Sequence, residues 1–275
     1  IVYVPAQEGL ETGRFYDPTV DALDVDVLRH DDQGTWSLVF DPNQKTHTWR
    51  QIGFQAPELD ITSKDLIAQI EMDGSLSGEL ELSAKGRIGE YLRKSARNPE
   101  TLKQFLARRI VVGVLPSAKM VEHLAVAVTE VVKPAKIRLT LKAPNVVRTE
   151  GRSLRMRVPI VWNPSAWFVL PERRYPLLLG TPRTETWKVE LTAPEGGRFE
   201  RAPKSTILES ECLYYGRSVK RTKTRLEIVQ TVKIKCERVP VDRYAAHRKL
   251  GAEIGRVVDE EVVIRAPRGW VGAER

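Results

Sequence analysis

Asp17 is the acidic residue that stands out as a candidate for catalysis. It follows the aromatic stretch Arg14-Phe15-Tyr16 and precedes Pro18 and Thr19. A carboxylate at the end of a strand can hold a neighbouring imidazole in the tautomer that acts as a base, which is the third role in a Cys-His-Asp triad. The same residues also suit an Asx turn before Pro18. The Asp-Pro-Thr sequence alone leaves both interpretations open.

No partner set for catalysis accompanies Asp17. His30 lies beside Asp31 and Asp32, where it could act as a base with an orienting carboxylate, but a surface turn accounts better for this stretch. His247 falls on the apolar face of a predicted helix, which favours a packed histidine. The other two histidines are His47 and His123. The phosphate-loop, dinucleotide-binding, zinc-protease and serine-hydrolase motifs are absent.

The two cysteines, Cys212 and Cys236, are predicted to lie in the middle of neighbouring strands. A mid-strand position does nothing to lower a thiol pKa, so neither is predicted to be a nucleophile. Neither has a second Cys or a His at ligand spacing, which argues against structural zinc. The two could form a disulfide, but they stand at unequal distances from the predicted turn. Two buried thiols are favoured, and no metal or organic cofactor is expected.

The composition is that of a folded protein with a basic surface. The 275 residues are 41% hydrophobic and 29% charged, and the net charge is +8. The densest basic cluster, 220–225, falls in a predicted hairpin turn without interleaved aromatic residues, so a nucleic-acid partner is not expected. No apolar run approaches the roughly 20 residues of a membrane-spanning helix, so no membrane span is predicted.

Periodicity predicts a mainly β (α+β) protein, built of antiparallel β-sandwich-like sheets with a few short helices. The clearest hairpin spans 66–84, where apolar residues alternate on both sides of Asp73-Gly74. A longer hairpin is predicted from 207–219 and 224–236, with one face buried. Asn98 and Pro99 predict a capped helix start. A last helix is predicted from Asp242, with a closing strand at 261–265.

Aromatic residues gather in the proline-broken segment between Pro159 and Pro182. An exposed loop of this kind could bind a partner, and Trp162, Trp167 and Tyr175 are the candidate binding residues. The same side chains could instead cap the hydrophobic core, and this second interpretation is favoured.

The opening of the chain resembles a known family. The stretch IVYVPAQEGLETGRFYDPTVDALDVDVL, followed by DDQGTWSLVF, is similar to the end of the transglutaminase-like cysteine-hydrolase core of large bacterial proteins. In that family the Asp of an Asp-Pro-Thr motif completes a Cys-His-Asp triad, and β-rich domains of unknown function flank the core. Segments 65–93 and 242–264 are similar to the hairpin, first helix, closing helix and closing strand of the domain after the core.

The resemblance implies that Asp17 is the triad Asp and that the Cys and His would precede Ile1. This chain alone is therefore expected to be inactive, in the role of a non-catalytic C-terminal accessory fragment. Residues 1–56 would be the last strands of the core plus a linker. Residues 57–275 would be a β-rich accessory region, with a division into two subdomains near 145–185 left open. The expected partner is the upstream core of the same polypeptide, and the expected location is extracytoplasmic, in the periplasm or cell envelope.

A second hypothesis belongs to a different functional class. A stand-alone basic β-sandwich could bind an anionic cell-envelope polymer or a protein partner through an exposed edge or through the aromatic loop.

Overall fold

The computed structural model describes residues 1–159 and 163–270. It is mostly β, with several antiparallel sheets and a few short helices, which confirms the predicted fold class. No helix in the described residues is both long and apolar enough to cross a membrane.

The strands of the described residues, in chain order, are β1 (Val2–Val4), β2 (Arg14–Tyr16), β3 (Trp36–Asp41), β4 (Thr46–Gln51), β5 (Ile61–Ile70), β6 (Leu76–Ala84), β7 (Lys119–Ala127), β8 (Ala135–Ala143), β9 (Arg148–Glu150), β10 (Ser153–Arg157), β11 (Leu177–Leu178), β12 (Arg183–Thr192), β13 (Arg198–Arg201), β14 (Thr206–Glu209), β15 (Leu213–Arg221), β16 (Arg225–Ile234), β17 (Arg238–Val239) and β18 (Glu261–Arg265). The α-helices are α1 (Gly86–Ala96), α2 (Pro99–Phe105), α3 (Val112–Val114) and α4 (Tyr244–Val258). A π-helical segment covers Leu106–Val111, and short 3-10 helices cover Pro164–Trp167 and Val241–Arg243.

An eight-stranded sheet in the order β14-β15-β16-β12-β5-β6-β8-β7 forms the centre of the molecule. Its neighbours are antiparallel except β5 and β12, which are parallel. Along β8 every second residue, from Ala135 through Leu139 to Ala143, is buried, because alternate side chains of a strand point to opposite faces. The sheet contains strands that precede residues 145–185 and strands that follow them. The division into two subdomains near 145–185 stays a prediction.

The predicted hairpin at 66–84 is confirmed as β5 and β6, in register from Thr62 opposite Ala84 to Ile70 opposite Leu76. Gly74 has a φ of +77°, which a residue with a Cβ adopts only with strain. The Asp73 carboxylate accepts a hydrogen bond from the Ser75 amide at 2.9 Å. The turn therefore has the residue types that its backbone requires.

The predicted helix start at Asn98 is also confirmed. The Asn98 side chain accepts hydrogen bonds from the amides of Glu100 and Thr101 at 3.0 and 3.2 Å, and Pro99 is the first helical residue. Leu92 of α1 and Leu102 of α2 belong to the main hydrophobic cluster, so both helices pack on the core of the sheet.

The predicted long hairpin is confirmed in its main part, β15 and β16, with Leu213 opposite Ile234. The prediction was wrong for its first arm, because Ile207 lies in the separate strand β14, which pairs with β15 on the other side. A turn at 210–212 reverses the chain between them, with the Ser210 amide donating to the Leu213 carbonyl at 2.7 Å.

A four-stranded sheet, β13-β18-β10-β9, shares the main hydrophobic cluster with the large sheet through Leu154, Phe199 and Ile264. The helix α4 and strand β18 confirm the predicted closing elements, and the apolar face predicted for α4 is buried. The residues of that face are Tyr244, His247, Gly251, Ile254 and Val258.

Residues 1–56 are built differently. They contain two separate two-stranded sheets, β1-β2 and β3-β4, joined by turns. Their buried hydrophobic cluster consists of Val20, Leu23 and Val27, with Leu59 packed against it.

Candidate functional site

Asp17 lies directly after β2, which pairs with β1 in an antiparallel hairpin. Its Oδ1 accepts hydrogen bonds from the Thr19 amide at 3.0 Å and from the Thr19 hydroxyl at 2.6 Å. The side chain therefore forms the Asx turn that the sequence left open. These bonds engage Oδ1, while the carboxylate as a whole remains partly exposed at the end of the strand.

The surroundings of Asp17 favour its charged form. Burial opposes ionisation, but the hydroxyl and amide bonds from Thr19, helped by the positive charge of Arg29, outweigh burial and lower the pKa of Asp17. Asp17 is therefore a carboxylate at neutral pH, which is the form that can orient and stabilise an imidazolium.

Asp32 is a neighbour of Asp17 that the sequence did not reveal. Burial, followed by the charge of Asp17, raises the pKa of Asp32, and its Oδ2 is buried without a hydrogen-bond partner in the described residues. The surface turn predicted around His30 is present, but Asp31 pairs with Arg29 rather than with the exposed His30. The structure therefore brings Asp32 toward Asp17 and leaves His30 at the surface.

The β3-β4 hairpin carries an uncovered apolar face, which we call the aromatic hairpin face. Trp36, Leu38 and Phe40 alternate along β3, and Trp49 lies opposite Leu38 on β4. Their exposed fractions are 64%, 51%, 61% and 64% in that order. A cluster of large exposed apolar side chains of this kind marks an interaction surface more often than an ordinary surface.

The structure separates the aromatic residues that the sequence grouped in one loop. Trp167 packs against the main core, and the Arg183 guanidinium lies 5.7 Å from its ring centroid. Tyr175 is 79% exposed. Trp162 lies outside the described residues. Phe168 is buried, with its ring 5.9 Å from that of Tyr244. The binding roles of Trp162, Trp167 and Tyr175 stay predictions.

A large cleft lies over the four-stranded sheet, with a volume of about 1670 Å³. We call it the arginine cleft, because its lining includes Arg148, Arg152, Arg155, Arg157, Arg198, Arg265 and Arg268. The acidic lining residues are Asp73 and Glu261. Arg148 and Arg155 pair with Glu150 and Glu261, whereas Arg152 and Arg157 form no ion pair among the described residues. The cleft therefore has an excess of positive charge that its own carboxylates do not neutralise.

The prediction of two buried thiols was wrong, because Cys212 and Cys236 form a disulfide. Cys212 and Cys236 stand at unequal distances from the turn, as the sequence indicated. In the register that pairs Leu213 with Ile234, the residue opposite Cys212 is Lys235 and not Cys236. Both cysteines lie just beyond the ends of β15 and β16 rather than in mid-strand. The chain is irregular there, which brings the two Cα atoms to 4.7 Å despite the offset.

Comparisons with known proteins give a limited match. Residues 158–264 match the model of a family described as a domain of unknown function with a solved structure, DUF3858. No curated protein matches the chain. A solved structure described as a "putative protease" from Parabacteroides distasonis is similar over 42% of this chain and 24% of its own chain, at 13% sequence identity and a TM-score of 0.36. The chain thus spans about a quarter of the length of that protein.

Proposed function

We propose that this chain is the C-terminal accessory part of a larger transglutaminase-like protein and that Asp17 completes the catalytic triad of that protein. The observation that carries the proposal is the setting of Asp17: an ionised carboxylate in an Asp-Pro-Thr motif at the end of a strand. The role is accessory, since the chain holds one of three triad members.

The chemistry of the larger protein would be acyl transfer or amide hydrolysis. A Cys thiolate, formed by proton transfer to a His, attacks a carbonyl carbon and gives an acyl-enzyme that an amine or water then resolves. Asp17 would accept a hydrogen bond from the other imidazole nitrogen and hold the ring in place. Both cysteines of this chain are in a disulfide, so neither supplies the thiolate.

Two further features support an accessory role. The aromatic hairpin face offers an apolar surface on which the upstream core could pack. Its hairpin contacts the strands that precede Asp17, since the Arg50 guanidinium lies 4.8 Å from the ring centroid of Tyr3. The disulfide supports an extracytoplasmic location, because disulfides persist in oxidising compartments.

The first test is the coding sequence directly upstream of Ile1. A His codon shortly before Ile1 and a Cys codon further upstream, at a predicted helix start, would support the proposal. An initiation codon immediately before Ile1 would contradict it.

The second test is Asp17→Asn in the full-length protein, with iodoacetamide alkylation of the core Cys followed against pH. Without the carboxylate the imidazolium is less stable, so the pH at which the thiolate forms should rise. Where a substrate is available, turnover should fall by about 10⁴-fold, as for loss of a triad Asp elsewhere.

Asp41→Asn is the matched control, because Asp41 also ends a strand, precedes a proline and accepts hydrogen bonds from the next amides, at 2.9 Å from Asn43 and 3.2 Å from Gln44. It should leave the alkylation profile unchanged. Equal effects of the two substitutions, or none from Asp17→Asn, would overturn the role of Asp17.

A second candidate function is a binding module for an anionic cell-envelope polymer, and the observation that favours it is the arginine cleft. Guanidinium groups bind carboxylates and phosphates through paired hydrogen bonds. Binding of polyglutamate or polyphosphate should be measurable by titration at low ionic strength and should weaken as salt is added.

Removal of Arg152 and Arg157 together, as Arg152→Ala with Arg157→Ala, should reduce this binding several-fold. Lys220→Ala with Lys223→Ala removes the same charge from the end of the β15-β16 hairpin and should have little effect. Equal losses from both pairs would indicate unspecific attraction to a basic protein and would exclude the cleft as a site. Trp167→Ala in the same assay tests the aromatic segment.

A further inference from the structure

His247 occupies an unusual position on the buried face of α4. Its side chain is 3% exposed, and its Nδ1 lies 3.0 Å from the backbone carbonyl oxygen of Arg243. A carbonyl only accepts hydrogen bonds, so Nδ1 carries the proton and Nε2 is left as an acceptor with a free lone pair. Nε2 is buried and has no hydrogen-bond partner in the part of the chain that the structure describes.

An unpartnered buried nitrogen costs stability, about 1–3 kcal/mol for a typical polar group, so a reason for it is expected. The surroundings provide one. A ring nitrogen of His247, the Cys212 sulfur and a carboxylate oxygen of Glu211 all lie within 4.8 Å of one another. The disulfide places the Cys236 sulfur directly against that of Cys212. Two sulfurs, one imidazole and one carboxylate therefore meet at one end of the β15-β16 hairpin.

Thiolate sulfur, imidazole nitrogen and carboxylate oxygen are the ligands that zinc takes in proteins, usually four in a tetrahedron. With bond lengths of about 2.0–2.3 Å, tetrahedral ligands lie roughly 3.3–3.8 Å apart. The separations among the Glu211, Cys212 and His247 ligand atoms, up to 4.8 Å, would need to shrink by about 1 Å. The two sulfurs, now bonded to each other, would need to move apart to roughly 3.8 Å once the bond is broken. Sulfurs bound to each other in a disulfide are not available as thiolate ligands.

We propose that reduction of the Cys212–Cys236 disulfide opens a zinc site formed by both cysteine sulfurs, His247 and Glu211. The oxidised protein holds this site closed, and the state of the disulfide decides whether metal binds. This inference stands apart from the proposed function, since Asp17 and the arginine cleft take no part in it.

The reaction is a two-electron exchange with a dithiol. One thiolate of the dithiol attacks a sulfur of the Cys212–Cys236 bond, that bond breaks, and the second thiol of the reductant then displaces the mixed disulfide. The protein gains two electrons and two protons as two thiols, and the dithiol becomes a disulfide. Zinc then binds the two thiolates and releases both thiol protons to solvent.

Among the four proposed ligands, the Glu211 carboxylate already has a charged partner that would compete with zinc. Its carboxylate pairs with Arg243, whose backbone carbonyl also fixes the imidazole of His247. A carbonyl bonded to Nδ1 of a metal-binding His orients the ring and raises its basicity, so Arg243 supports the site as well as competing for one ligand.

The test uses the whole chain, reduced under argon with a phosphine, which takes up oxygen from water as the phosphine oxide and leaves two thiols. After removal of the phosphine, cobalt(II) is titrated in as a spectroscopic substitute for zinc. We expect one equivalent to bind with thiolate-to-cobalt charge transfer and tetrahedral visible absorption, and zinc to displace it. The oxidised protein should show neither band.

His247→Gln should weaken cobalt binding by at least about tenfold, since even loss of an outer partner of a zinc ligand costs 10- to 100-fold. His123→Gln, on β7 and outside the cluster, is the matched control and should bind as the unsubstituted chain does. Equal binding by both variants would overturn the role of His247.

Circular dichroism recorded at each stage keeps the test decisive if reduction loosens the fold. Should the reduced, metal-free chain lose structure, recovery of the spectrum on addition of one equivalent of zinc would support the site. A reduced chain that gives no cobalt spectrum and, if unfolded, does not recover with zinc would overturn the proposal.

Discussion

Residues 1–56 and residues 57–270 differ in what holds them together. The first region has two isolated two-stranded sheets around a cluster of three buried side chains. The second has an eight-stranded and a four-stranded sheet, with helices, around one large hydrophobic cluster. Two-stranded hairpins are at best marginally stable alone in water. The first region therefore depends on neighbours for its structure, whereas the second carries its own core.

Polar contacts join the two regions, in addition to the packing of Leu59 on the small cluster of the first region. Arg93 of α1 is buried and donates from Nη1 to the Ala22 carbonyl at 3.2 Å, while its Nη2 donates to the carbonyls of Glu130, Val131 and Lys133. Lys85 lies 3.4 Å from the Asp24 carboxylate. The region with the candidate triad Asp therefore has little core of its own, and it is held to the larger region by Leu59, a buried guanidinium and an ion pair.

The largest expected effect is a loss of core in the second region. Leu139→Ala should lower the free energy of unfolding by about 3 kcal/mol, because Leu139 is fully buried and truncation leaves a cavity. Leu38→Ala on the aromatic hairpin face should change it by no more than about 0.5 kcal/mol. Urea unfolding followed by circular dichroism measures both. Similar losses of unfolding free energy in the two variants would show that the aromatic hairpin face is packed within this chain. The two regions would then not differ in how they are stabilised.

A smaller effect is expected where the regions meet. Arg93→Met keeps the packing of the side-chain stem but removes the donor to the Ala22 carbonyl and the donors to the carbonyls of residues 130, 131 and 133. Local opening of residues 20–28 should become easier by about 2 kcal/mol. Hydrogen exchange of the Leu23 and Val27 amides, both bonded within this segment, measures the change.

Arg97→Met is the control for that experiment, because Arg97 also reaches the first region but through an exposed pair with Asp21 at 2.7 Å. Exposed pairs contribute little, so exchange should change by no more than about 0.5 kcal/mol. If Arg93→Met left the protection of 20–28 intact, the first region would be held by something other than this buried guanidinium.

The smallest effect concerns Asp17. Its pKa lies below the ordinary 3.8, so Asp17 adds stability that is present above pH 3.8 and is lost as the pH falls through the lowered value. Thr19→Val removes the hydroxyl bond and leaves the amide bond, so the pKa should move part of the way back toward 3.8. Carbon-detected NMR of the carboxyl against pH measures it. Thr46→Val, on exposed β4, should leave this pKa alone, and an unchanged value in Thr19→Val would refute the role of that hydroxyl.

Local patterns predicted much of the fold. The Asp73-Gly74 hairpin, the Asn98 cap and the buried face of α4 depend on residues close together in the chain, and each is present. The same reasoning failed at Ile207, where the apolar alternation continued across a chain reversal at 210–212. Periodicity reports which face is buried but does not report where a strand turns back.

The candidate sites were much less predictable. The sequence singled out Asp17 and its Asx turn, but the neighbouring Asp32 had no spacing signal. His247 was predicted to be packed, and it is buried, but neither its unpartnered Nε2 nor its closeness to Cys212 could be foreseen. The arginine cleft combines residues from β9, β10, β13 and β18, and the sequence had drawn attention only to the basic cluster at 220–225.

The sequence by itself determined the mainly β class, the turns and caps, and the buried helix face, because short-range sterics and alternation of apolar residues decide them. Only the tertiary structure decided the parallel pairing of β5 with β12, the disulfide, the cluster at His247 and the arginine cleft. These join residues that are distant in the chain. Which of them meet depends on the strand order chosen to bury one common core, and no local pattern encodes that order.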